Sequence, residues 1–165
     1  MHILAIDPGI NGAAAHIYKD SARVFDLPTA GSGKHRVLLP AVLASQIREI
    51  APTFAIIERV HAMPRQGVSS SFRFGQAFGV IEGVIGALGI SLNYVTPSTW
   101  KRGLSLSSDK DEARLRAIQL YPQAAADLSR KKDIDRAEAL LIATWARDHL
   151  KGPTAPQIND GAANA

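Results

Sequence analysis

The chain contains no cysteine. That excludes disulfide staples and thiolate metal centres, and it fits a reducing compartment. Its five histidines show no metal-ligand spacing and read as surface or turn residues. The N-terminus lacks the charged-then-apolar pattern of a secretory signal. No apolar run approaches the ~18 residues of a membrane span. These absences lead us to expect a soluble, cytoplasmic protein without a membrane partner. Acidic residues are outnumbered, 15 against 19 Lys and Arg, for a formal net charge of +4. That excess favours an anionic partner, although an ordinary solvated basic surface would give the same balance. With 46% hydrophobic and 21% charged residues over 165 positions, the composition is that of a globular domain with a real core.

Short apolar runs predict strands at 2–7, 13–18, 22–27, 54–58 and 91–95. The turn at Lys19-Asp20-Ser21 makes a hairpin of the second and third. Residues 28–36 form a Gly/Ser/basic loop. Helical spacing predicts helices at 37–49, 71–88, 97–101, 110–120 and 135–150, with Pro97 in a first turn and Pro122 as a stop. Residues 1–151 read as one domain. Residues 152–165 are rich in Gly, Pro, Ala and Asn and read as a disordered tail.

Four carboxylates stand out. Asp7 ends the first strand and leads into Pro8-Gly9. Glu58 ends the apolar run Ala55-Ile56-Ile57, where a charge is costly unless paired or metal-bound. Asp135 and Glu138 are three apart and share one face of the last helix. Carboxylates at strand ends and a helix start can converge on one edge of an α/β sheet. Such oxygen-only ligands suit Mg²⁺ or Mn²⁺. Each acid also has a structural reading. Asp-Pro-Gly is a common turn, Glu58 could pair with Arg59, and Asp135-x-x-Glu138 has the spacing of a helix capping box. Asp133 is a second possible cap, or a further ligand.

Other features mislead or stay open. Gly31-Ser32-Gly33-Lys34 looks like a phosphate loop, but Pro28 stands where its first Gly belongs and His35 follows the Lys. Trp100 and Trp145 read as core aromatics. Lys101, Arg102, Lys110, Arg130, Lys131 and Lys132 cluster late in the chain, either as a phosphate-binding surface or as a solvated face. Gly75, Gly79 and Gly83 fall four apart on the long helix, with Gly86 nearby. Glycine costs about 1 kcal/mol against Ala in a helix interior, so the stripe needs a reason. It could allow close approach of a second copy, or packing against the chain's own sheet.

In order, Ile6-Asp7-Pro8-Gly9, Ile57-Glu58-Arg59-Val60, Gly75-Gln76-Ala77-Phe78-Gly79-Val80, Pro97-Ser98-Thr99-Trp100-Lys101-Arg102, Asp109-Lys110 and Asp135-Arg136-Ala137-Glu138-Ala139-Leu140 resemble the RuvC family of Holliday-junction resolvases, a branch of the ribonuclease H-like nucleases. The similarity spans about residues 2–150. It implies an α/β fold with a five-stranded mixed sheet, three antiparallel strands then parallel ones, flanked by helices. It implies Asp7, Glu58, Asp135 and Glu138 as catalytic acids holding two Mg²⁺ ions, with Mn²⁺ as a substitute. Glu138 stands where the family has Asp. The resemblance also implies phosphate contacts at Lys101 and Lys110. With them we group Arg102, Arg65 and Arg73 as candidate DNA contacts, and Phe72, Phe74 or His61 as candidates for an aromatic wedge. The implied partners are four-way DNA junctions and a second copy of the chain, paired through the helix carrying Gly75, Gly79 and Gly83. A YqgF-like nuclease acting on RNA and a non-catalytic branched-DNA binder are the alternatives. A sugar-kinase or actin-like ATPase would need a second such domain.

Overall fold

A computed structural model describes residues 1–59 and 67–150. The expected tail at 152–165, Arg65 and His61 lie outside the described residues. The main sheet contains β1 (His2–Asp7), β2 (Ala13–Tyr18), β3 (Ser21–Asp26), β6 (Phe54–Glu58) and β7 (Leu92–Val95). Their order across the sheet is β3-β2-β1-β6-β7. β2 is antiparallel to β1 and to β3, whereas β6 runs parallel to β1 and β7 parallel to β6. A two-stranded ribbon of β4 (Thr29–Ala30) and β5 (Val37–Leu38) stands apart.

The expected helix at 37–49 is shortened by that ribbon. Val37 and Leu38 pair with Ala30 and Thr29, and α1 (Pro40–Ile50) begins at the proline, whose fixed φ suits a first turn. The other helices are α2 (Val68–Ala87), α3 (Pro97–Gly103), α4 (Lys110–Leu120) and α5 (Ile134–His149). No helix of the described residues is long and apolar enough to cross a membrane.

Strand residues alternate between two cores, as the period of two requires. Ile3 and Ala5 of β1, with Phe54 and Ile56 of β6, face Leu140, Ile142 and Trp100. Leu4, Ile6, Ala55 and Ile57 face Leu43 and Ile47 of α1 and Ile81 and Ile85 of α2. Central strands covered on both faces read as unbroken apolar runs, and β1 and β6 do so. The same alternation sends Asp7 and Glu58 toward the α5 face.

Candidate active site

β1 and β6 pair in parallel up to Ile6 and Ile57. Asp7 and Glu58 are therefore the next residues on adjacent strands, and both are buried, at 9% and 8% exposure. The turn after Asp7 is tight. The Gly12 amide donates to the Gly9 carbonyl at 3.1 Å, and a Cβ on Gly12 would lie 2.3 Å from the Asp7 carbonyl oxygen. Only glycine fits there, so Gly12 fixes the path by which the chain leaves Asp7.

α5 supplies the remaining acids. Asp135 and Glu138 both lie within this helix, so the capping-box reading of that pair does not hold. Asp133 takes the capping role one turn earlier. Its buried carboxylate accepts from the Arg130 backbone amide at 2.8 Å and from the Arg130 guanidinium at 2.7 Å. Those bonds hold its carboxyl below the ordinary carboxylate range and keep it ionised. Asp133 is thereby tied into a structural ion pair. Arg136, between the two acids, turns away to grip Asp26 of β3 with two bonds of 2.6 and 2.7 Å.

Carboxylate oxygens of Asp7, Asp135 and Glu138 all lie within 4.8 Å of one another. Glu58 falls outside that close group. Its Oε1 accepts from the buried Trp100 indole N–H at 2.7 Å, so Trp100 is a core aromatic that also holds a site residue. Glu138 accepts from Lys101 Nζ at 2.9 Å. Thr96, whose hydroxyl accepts from the Thr99 amide, caps α3, the short helix that delivers both donors.

The electrostatics are those of crowded, buried like charges. The Asp7 carboxyl is pushed well above its ordinary value, first by burial and then by Glu58, Glu138 and Asp135. Glu58 is raised by burial, against the opposing bond from Trp100. Burial also raises Asp135, with Lys110 opposing. Lys110 lowers all three, so its ammonium lies in the field of the site. It stands at the exposed start of α4, which Asp109 caps by accepting from the Asp111 amide at 2.8 Å.

The remaining candidates divide. Arg102 is exposed. Arg73 donates to the backbone carbonyls of Ser69 and Lys34. Phe72 is 72% exposed, whereas Phe74 is half-buried and tilted against Phe78, with ring centroids 6.1 Å apart. Gly75, Gly79, Gly83 and Gly86 are exposed, and a Cβ on any of them would meet nothing within 4 Å among the described residues. The stripe is therefore not packed against the chain's own sheet. Sequence reasoning missed the contact of Trp100 with Glu58. Its trace was a Trp beside Lys101, one step from a basic candidate.

No protein-family model matches the chain, and no curated protein matches it in sequence. Solved structures do match in fold. Thermus thermophilus RuvC in complex with a Holliday-junction substrate superposes with a TM-score of 0.62 at 17% identity, covering 93% of this chain and 99% of the other. A second Thermus thermophilus RuvC structure gives 0.59 at 16% identity, covering 93% and 100%. The chain thus has the ribonuclease H-like fold of RuvC over nearly its whole length.

Proposed function

We propose that the chain is a RuvC-like endodeoxyribonuclease that resolves four-way DNA junctions with the help of divalent metal ions. The observation that carries this reading is the close group of Asp7, Asp135 and Glu138 at the sheet end of a fold shared with a junction-bound resolvase. A buried cluster of carboxylates is costly without a compensating cation. Among the described residues, Lys101 is the one cation bonded to any of the three. The donor set is oxygen only, which fits Mg²⁺ or Mn²⁺. Asp7, Asp135 and Glu138 would hold one ion, and Glu58 would join Asp7 in holding a second. When bound, such ions neutralise the phosphate and acidify a water.

The protein's own groups orient the rest. Trp100 keeps the Glu58 carboxylate facing its neighbours. Lys101 steadies Glu138, and Lys110 with Arg102 offers charge to the incoming phosphates. Phe72, exposed near the start of α2, is the better placed aromatic for stacking on an unpaired base, a contact worth about 1–3 kcal/mol. The open glycine stripe of α2 would seat a second copy of the chain.

The test is cleavage of a synthetic four-way DNA junction in Mg²⁺ beside an RNA substrate of the same shape. Junction cleavage that vanishes in Asp7→Asn and Asp135→Asn, with junction binding in Ca²⁺ retained, is expected. RNA cleavage alone would favour the YqgF-like alternative, and binding without cleavage in any metal the non-catalytic one.

A further inference from the structure

A second basic flank borders the acids on the side away from α3. The turn after β1, the end of β3, the 131–133 turn and the start of α5 enclose a cavity of about 360 Å³, and Asp135 forms part of its wall. Arg36, Arg130 and Lys132 also line it, as do Asp26 and Asp133. Two neighbouring cations are already neutralised, Arg130 by Asp133 and Arg136 by Asp26. Arg36 and Lys132 are not. Among the described residues neither has a carboxylate partner.

Arg36 is the more telling of the two. It is half-buried, and among the described residues its guanidinium donates only to neutral oxygens, those of the Asn11 side-chain amide and the Thr29 hydroxyl. A guanidinium carries five N–H donors in a rigid fork suited to phosphate. The bonds to Asn11 and Thr29 fix the plane of that fork against the β1–β2 turn and the β4 strand, and they leave donors spare. Beside an open cavity, this half-buried cation has no counterion among the described residues.

We propose that Arg36 and Lys132 each bind a backbone phosphate of the nucleic acid, on the flank of the acid cluster opposite Lys101. This rests on the nuclease reading above and adds the course of the strand. The sheet order sets that course. Lys101 follows β7 on one side of the Asp7–Glu58 pair, while the Arg36 cavity lies by β2 and β3 on the other. A strand crossing the acids is then held by positive charge before and after the cut.

The test is binding of a labelled four-way junction in Ca²⁺ across a salt series, for wild type, Arg36→Gln, Lys132→Gln, the double variant and Arg36→Lys. Each lost phosphate contact lowers the slope of log affinity against log salt by about one. We expect that fall in each single variant, twice the fall in the double variant, and a wild-type slope in Arg36→Lys. Lys132 is exposed, so its variant reports on charge even if Arg36→Gln loosens the loop. A junction-binding wild type whose slope survives the double substitution overturns this inference alone. A wild type that binds no branched nucleic acid overturns the nuclease reading and this inference with it.

Discussion

At the scale of single residues, the site is a set of charges held against their own preference. Asp7 is the extreme case, buried among three other acids with its carboxyl pushed upward. The sign of the pH effect follows. Between the ordinary value of 3.8 and its raised value, Asp7 keeps a proton in the folded state that it loses when unfolded. Metal-free stability therefore falls as pH rises through that window. Asp7→Asn removes the repulsion, so in EDTA at neutral pH it should melt higher than wild type, by about 2–4 °C for each kcal/mol relieved. It should also lose most of the stabilisation that wild type gains from Ca²⁺. Melting curves with and without Ca²⁺ check both, and an Asp7→Asn protein less stable than wild type in EDTA would contradict the picture. Trp100 is the opposite case, a neutral donor whose N–H satisfies Glu58. Trp100→Phe leaves that buried carboxylate short of a partner, at a cost of about 1–3 kcal/mol. Urea unfolding of Trp100→Phe, Glu58→Gln and the double variant should give a coupling energy of about 0.5–3 kcal/mol. Simple additivity would mean that the indole serves packing alone.

Among elements, the turn 8–12 and the helix α3 do the positioning. Gly12 has no room for a methyl group, since its Cβ would lie 2.3 Å from the Asp7 carbonyl oxygen and 2.8 Å from the Gly9 nitrogen. Gly12→Ala must therefore move the backbone that carries Asp7, and it should cost more than the 1–3 kcal/mol typical of an overpacked site. Denaturant unfolding measures the loss, and wild-type stability would show that the turn has slack. At this scale much was legible in sequence. β1 and β6 were plain because each is an apolar run closed by an acid, and the hairpin of β2 and β3 because Lys19-Asp20-Ser21 interrupts alternating residues. The two-residue strands at 29–30 and 37–38 were not, since two residues display no period. The pair Asp135 and Glu138 was ambiguous, since a capping box and a ligand pair share one spacing. Asp133 resolves it by pairing with Arg130, a contact that sequence spacing alone cannot distinguish from a cap on α5. The bond from Trp100 to Glu58 joins residues 42 positions apart. No local pattern encodes it.

At the scale of the whole molecule, α2 carries an exposed stripe of glycines. Its glycine stripe was readable from the spacing of 75, 79 and 83, but whether it faces the sheet or solvent was not. Among the described residues nothing lies within 4 Å of a Cβ on these glycines, so packing against the sheet does not explain the stripe. An exposed stripe of glycines is a standing cost, about 1 kcal/mol per residue against Ala. Close contact with the same helix of a second copy would offset that cost, and a two-fold pair would present equal sites to symmetric strands. Gly79→Leu separates the possibilities. Because a Cβ at position 79 meets nothing within 4 Å among the described residues, the variant should fold and melt at or above the wild-type temperature at low concentration. Light scattering should give twice the 17.7 kDa chain mass for wild type and the single mass for the variant. On a four-way junction the variant should nick one strand without the paired cut that releases two duplexes. A wild type that stays at the single mass across micromolar concentrations would remove the dimer. A Gly79→Leu protein that still dimerises and makes paired cuts would move the interface to another surface.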